Sequence, residues 1–489
     1  MMGIWELASL LLGLLALQYL KQLWSSRNYP PGPFQLPLVG GVWWVRKKFS
    51  QDIFIKLAKQ YGNIFTIWLG SYPIVILSGY QAVKEGLIVR SEDFAARPVT
   101  PTLKALFKKR GIITSNGHIW KQQRRFGQVT LGKLGVGKKC TEHIVEEAAH
   151  QLVEIFTLAK GHPIDPILPI STKIFKVVCA VVFGHQSYFQ EEEIEKILEE
   201  SETGIKFAGT ISHILYELFP RLMDRLPTPF RKMRAMVDKR ILHLREEIAR
   251  HKEYQMQNEP QDFTDFYLLQ MEKSKNDPDS TYNEDNLVQC ILDFLVAGTE
   301  TSSTTLQWAL LLMGVHPEIQ DKVYKEMENV LGTSQSICYQ DRKKMPYTNA
   351  VIHEIMRLKY VFPIGVARRS VKDVTMHGYT IPKGTFVVPD LTSVLLDPKQ
   401  WETPRDFNPQ HFLDKDGQFV AREEFLAFGA GPRVCLGEQL ARMEIFLFFT
   451  HLLRSFRFYF PEGTDQINQD PLVGFLLHPE AYKICAVPR

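Results

Sequence analysis

Residues 428–437 read FGAGPRVCLG, and a helical pattern follows at once: Gly437, Glu438, Ala441 and Arg442, then Ile445, Phe446, Phe449, Leu452 and Leu453. This places Cys435 at a helix N-terminus, where the dipole and free N–H groups stabilise a thiolate. Gly429 and Gly431 permit backbone conformations closed to other residues. A thiolate so placed suits a haem iron, onto which it pushes electron density. On that reading Phe428 shields the sulfur, Arg433 pairs with a haem propionate, and Gly437 lets the helix approach the porphyrin closely. The plain alternative is a structural cysteine beside a glycine-rich turn. It is the better reading of any one residue here, but not of five fixed positions within ten residues.

Upstream, residues 292–312 read LDFLVAGTETSSTTLQWALLL, a mostly apolar helix interrupted by Ala297-Gly298-Thr299-Glu300-Thr301. A mid-helix glycine costs about 1 kcal/mol against alanine, and the hydroxyls at 301–305 can bend a helix by bonding back to carbonyls. This is either a helix contact built from small residues or a groove that admits dioxygen beside Thr301. Ala297 and Thr301 share a face, and Glu300 points elsewhere, placed to relay protons for O–O cleavage. Glu354 and Arg357 sit one turn apart in YTNAVIHEIMRL, an arrangement that is weak evidence alone, since exposed pairs contribute little.

The 489 residues are 45% hydrophobic and 23% charged, as in ordinary globular proteins. A net charge of +4 is too weak to imply nucleic acid as a partner, and none is expected. Six cysteines, at 140, 179, 290, 338, 435 and 485, lie singly, which argues against a zinc or disulfide framework. Residues 1–20, MMGIWELASLLLGLLALQYL, carry one charge and suit a membrane anchor. A cleaved signal is the alternative, but Lys21, Arg27, Lys47 and Lys48 follow in place of a cleavage site. The basic, proline-rich stretch 21–33 reads as a stiff linker, and 34–489 as one catalytic domain, mainly α with a smaller β part. Helical spacing falls at 50–61, 142–156, 191–202, 230–254, 284–314 and 317–331. Strands are expected at Ile64–Leu69, Tyr72–Ser78, 374–378 and 385–388, and a loop at 273–279.

The cysteine loop resembles the haem-binding signature of the cytochrome P450 family, and Ala297–Thr301 resembles that family's oxygen-side motif. The likeness covers essentially the whole chain. It is strongest toward microsomal family-two enzymes, notably fatty-acid epoxygenases, through RPVTP, MPYTNAVIHE, AGTETSSTTLQWALL and CLGEQLAR. It implies the family's helical fold and haem b on a cysteine thiolate. It implies insertion of one oxygen atom from O2 into an apolar substrate (a fatty acid, steroid or xenobiotic), by hydroxylation or epoxidation. Electrons would come from NADPH through a separate cytochrome P450 reductase, since the chain has no glycine-rich nucleotide motif. A small b-type cytochrome is a further implied partner, and the implied setting is the endoplasmic reticulum membrane, catalytic body in the cytosol.

By the same resemblance, Trp120 and Arg124, in a Trp-x-x-x-Arg pattern, reach a propionate, with Arg97 and Arg368 as further candidates. Arg368 departs from the histidine frequent among the strongest likenesses. Glu354 and Arg357 tie to a downstream basic residue, here His411 where many members carry arginine. Substrate contacts are implied around the loop 100–113, at Phe207, Ala297, Thr301, Phe362, Val366, Phe475 and Leu476. Lys121, Arg125, Lys138, Lys139, Arg422 and Arg442 form the expected docking face for an acidic electron donor. A haem-thiolate isomerase and a haem sensor are the rival readings; the pair Glu300-Thr301 argues against both.

Overall fold

The computed structural model describes residues 53–489 except 71, 137–138, 185–188, 209, 256–258, 333–335, 465–466 and 475. Of the first 52 residues it describes 6, 13, 16–17, 19–21, 23–24, 26–36 and 40–41. Most of the expected anchor 1–20 therefore lies outside the described residues, as does Phe475. Among the described residues no helix is long and apolar enough to cross a membrane. The chain forms two compact units. One comprises Met1–Pro98, Phe362–Pro404 and Glu424–Val434; the other comprises Val99–Val361, Arg405–Glu423 and Cys435–Arg489.

The first unit holds the larger sheet. Ile64–Leu69 and Tyr72–Ser78 form the expected hairpin, Ile64 opposite Leu77. Tyr72–Ser78 then pairs in parallel with Phe386–Asp390, which pairs antiparallel with Arg368–Arg369. The helix Ile53–Tyr61 buries Ile53, Phe54 and Leu57 against Phe65, Ile67, Ile76 and Val388. The proline-rich stretch is docked on this sheet: Thr66 N donates to Pro31 O at 2.9 Å. A Cβ on Gly32 would fall 1.9 Å from Thr66 O, so that approach requires glycine.

The second unit is helical, with Lys139–Leu158, Ile167–Phe183, Glu191–Phe207, Pro229–Gln255, Glu284–Val315, Pro317–Leu331, Pro346–Leu358 and Glu438–Ser455 among its helices. The long helix Glu284–Val315 starts where the Asn283 side chain accepts from Asn286 N. Its Leu287, Ile291 and Leu295 pack with Phe175, Val178, Phe183 and Phe263 into a buried core. The helix Ile167–Phe183 has no counterpart among the sequence expectations. Its β-branched, apolar composition hides the helical period, because it is buried nearly all round.

Candidate functional site

In the first unit the cysteine loop's glycines hold a tight backbone. Gly429 and Gly431 both have positive φ, 74° and 72°. A Cβ on Gly431 would stand 1.9 Å from Leu87 O, so no other residue fits without moving the backbone. Arg433 is buried and its Nε donates to Ala95 O at 3.0 Å. Arg97 is also buried, and its Nη1 donates to the carbonyls of Val366 and Ala367 at 2.8 and 2.9 Å. Arg368 is 5% exposed, on a strand. Arg368 and Arg433 stand around the same spot as Leu87, Phe94, Ala95 and Ala430. Phe428 and Phe362 are half-buried and Val366 is exposed.

In the second unit Cys435 stands two residues before Gly437, the N-cap of the helix Glu438–Ser455. The Gly437 N–H donates to the sulfur, which favours the thiolate, as do the nearby charges of Arg124 and Arg442. Burial outweighs them and, with Glu438, pushes the free thiol up. Cys435 is nevertheless exposed, and a Cβ on Gly437 would meet open space. Leu436 then packs toward Gly127, where an added Cβ would lie 3.0 Å from Leu436 Cδ2 and 3.9 Å from Phe294 Cζ. That contact brings together the cysteine turn, the helix Gly117–Lys133 bearing buried Trp120 and Arg124, and the long helix.

The long helix is buried along most of its length but opens at Val296 and Ala297, with Gly298, Glu300 and Thr301 half-exposed. Thr301 Oγ1 donates to Ala297 O at 2.7 Å and Thr305 Oγ1 to Thr301 O at 2.9 Å, the back-bonding expected of this run. A Cβ on Gly298 would lie 3.0 Å from Val178 Cγ2. The small residues thus serve both readings: one face packs on a neighbour and another is open. Burial, with Glu202 nearby, pushes the Glu300 carboxyl up to about 7.

Glu354 and Arg357 are fully buried and joined by two hydrogen bonds of 2.7 Å. His411 Nδ1 lies 3.1 Å from Glu354 Oε1, Asn408 N donates to that oxygen at 2.9 Å, and Arg357 Nη2 donates to Asp406 O at 3.2 Å. Leu476 is buried. Phe207 packs among Leu106, Tyr216, Met223, Phe230 and Met233. Lys121 and Arg125 are exposed, Lys138 lies outside the described residues, and Arg442 is engaged by Glu438 Oε1 and His353 Nε2 at 2.9 and 2.7 Å.

Two further buried acids on these helices were not singled out from the sequence. Glu444, 1% exposed, accepts from Ser302 Oγ at 2.7 Å, and burial pushes its carboxyl up to about 8. Asp293 accepts from the N–H groups of Ile112 and Ile113 at 2.7 and 3.0 Å, fastening the loop 100–113 to the long helix; burial pushes it up to about 6. The signal was an acid inside an apolar helical run, which a packed helix leaves nowhere to point but inward.

An exposed cysteine just before a helix N-terminus, and a long helix that opens at Ala297 and Thr301, are the features a haem-thiolate centre would use. The family model described as Cytochrome P450 matches residues 30–486. The chain is 38% identical to cytochrome P450 2J5 of Mus musculus, covering 99% of this chain and 97% of that one. It is 39% identical to cytochrome P450 2J2 of Homo sapiens over 98% and 96%, and 39% identical to cytochrome P450 2A13 of Homo sapiens over 98% of each. The chain belongs to the cytochrome P450 family. It is a haem-dependent monooxygenase using haem b on a cysteine thiolate, a separate NADPH-driven reductase and apolar substrates.

Proposed function

We propose that Cys435 is the thiolate ligand and that substrate is oxidised against the open face of the long helix at Ala297 and Thr301. The observation that carries this is the opening itself, in a helix otherwise buried. When bound, the haem supplies dioxygen binding and cleavage. Arg97, Arg124, Arg368 and Arg433 are buried cations suited to its propionates, with Trp120 beside Arg124. Phe428 and Gly437 frame the sulfur. Phe207, Phe362, Val366, Phe475 and Leu476 give the substrate space an apolar lining, suited to fatty acids, steroids or xenobiotics. Glu354, Arg357 and His411 support the cysteine turn. Lys121, Arg125, Lys138, Lys139, Arg422 and Arg442 provide the docking face for the reductase or a small b-type cytochrome.

Thr301 and Glu300 move protons. The Thr301 hydroxyl proton is directed at Ala297 O, which leaves its lone pairs open to a further donor. With reductase and NADPH supplied, Thr301→Ala is expected to keep consuming NADPH while product falls about 10- to 100-fold and hydrogen peroxide rises. Unchanged product per NADPH would remove Thr301 from the relay. Glu300 donates only while protonated. With its carboxyl at about 7, coupling should fall as pH rises from about 6 to about 8, and Glu300→Gln should flatten that slope.

The chain is read as a protein of the endoplasmic reticulum membrane, with 1–20 as single-pass anchor, 21–33 as linker and 34–489 as the cytosolic catalytic domain. A second surface supports contact with lipid. Ile211, Leu215, Phe219, Leu222 and Leu226 are each more than a third exposed, along the short helices Ile211–Leu218 and Pro220–Met223 and just beyond. Such a cluster of apolar side chains suits the acyl boundary of a bilayer. Residues 211–226 should exchange amide hydrogens more slowly in nanodiscs than in detergent-free buffer. The pair Phe219→Glu and Leu222→Glu should abolish that protection; equal exchange for wild type in both settings would sink the lipid contact.

A further inference from the structure

Three metal-ligating side chains converge where the helices Lys139–Leu158 and Glu438–Ser455 meet. Glu146 and His150 lie one turn apart on the first, with His150 Nε2 4.0 Å from Glu146 Oε1. His451 comes from the last turns of the second, its ring centroid 4.5 Å from that of His150. One donor atom from each of the three residues lies within 4.8 Å of the other two. We propose that Glu146, His150 and His451 bind a divalent transition metal of the zinc type, clasping these two helices together.

The strongest support is His451. It is 4% exposed, and its Nε2 is buried with no hydrogen-bond partner. A buried polar atom left unbonded is costly and calls for a partner the protein does not itself provide. Burial, with His150 and Arg454 nearby, pushes this imidazole down to about 4, so at neutral pH it is uncharged and one ring nitrogen has a free lone pair. Metal binding needs that neutral form. Two imidazoles and one carboxylate form a zinc donor set, completed by water.

The geometry must tighten. At zinc–nitrogen distances of about 2.0 Å, tetrahedral donors stand about 3.3 Å apart. His150 and Glu146 are able to move, since their side chains are 54% and 30% exposed, while His451 is held by the core. The charge of Arg454 opposes a dication, but its Nη2 is directed at Gly332 O, 3.3 Å away. The carboxylate of Glu146 offsets it. The ordinary alternative is a histidine pair in edge-to-face contact that binds nothing.

The test uses the full-length holoprotein, free of any histidine tag, stripped with chelator and equilibrated with zinc chloride. One zinc per haem is expected, with a dissociation constant of about micromolar or tighter. His150→Gln and Glu146→Gln, both at accessible positions, should each weaken binding at least about tenfold. His451→Gln should do so too, and His162→Gln, at an exposed histidine outside the cluster, should not. Zinc should also raise the melting temperature of the wild type by a few degrees, and that of His150→Gln by less. No bound zinc in the wild type, or equal affinity in wild type and His150→Gln, overturns the site.

Discussion

Arg357→Ala is expected to cost the fold about 3–5 kcal/mol and to leave little recoverable haem protein. Arg357 and Glu354 are both fully buried and doubly hydrogen-bonded. Removing the guanidinium strands a carboxylate without its main countercharge and opens a void where a long side chain stood. His411 remains beside Glu354, but it meets the carboxylate through one nitrogen only. Asp406 O loses a donor as well. Against a typical total of 5–15 kcal/mol the loss is a large fraction. Glu354→Ala should be comparably damaging, since it strands Arg357 instead. The double replacement Glu354→Met with Arg357→Leu should recover part of the loss, because it strands neither charge. Urea midpoints and the yield of haem-loaded protein give the readout. A single mutant within about 1 kcal/mol of wild type would mean that this network is not supporting the second unit.

Much of this network was readable in advance, and the reasons differ residue by residue. Glu354 and Arg357 stood out by spacing, but spacing alone cannot separate an exposed pair from a buried one. In the structure both side chains are fully buried. The cysteine turn was legible because its demands are local: positive φ at Gly429 and Gly431, an N-cap at Gly437, a helix after it. The hairpin Ile64–Leu69 with Tyr72–Ser78 was legible for the same reason. What the sequence hid depends on packing between distant segments. The parallel pairing of Tyr72–Ser78 with Phe386–Asp390 joins strands some three hundred residues apart, and no local period reports that. The helix Ile167–Phe183 hid its period by being apolar on nearly every side. Glu444 and Asp293 were not singled out from the sequence, although each sits inside an apolar helical run. Phe207 carried no such signal, and an aromatic in a core reads the same as one at a substrate.

Cys435→Ser is expected to reduce monooxygenase turnover to background while leaving the fold nearly unchanged. Cys435 is exposed, so replacing its sulfur by oxygen creates no new cavity in a packed core. The helix that follows starts at Gly437, and the packing of Leu436 toward Gly127 and Phe294 does not involve the sulfur. Serine presents a weakly acidic hydroxyl in place of a thiolate, so the electron push that favours O–O cleavage is lost. The other cysteines with described side chains offer no substitute. Cys179, Cys290 and Cys485 are buried, the Cys290 thiol is pushed far up by burial, and Cys338 donates to Asp341 at 3.1 Å. The reduced carbon-monoxide difference spectrum separates the outcomes. Wild type should show the strongly red-shifted Soret band of a thiolate-ligated haem. Cys435→His should move it to the position typical of histidine ligation, and Cys435→Ser should lose it. Persistence of the red-shifted band in Cys435→Ser would place the ligand elsewhere and remove the basis for reading the open helix at Ala297 and Thr301 as the oxygen side. Loss of the band with an unaltered melting temperature would instead separate chemistry from stability, because Arg357 and Cys435 would then fail by different routes: one by unfolding the second unit, the other by emptying an intact site of its ligand.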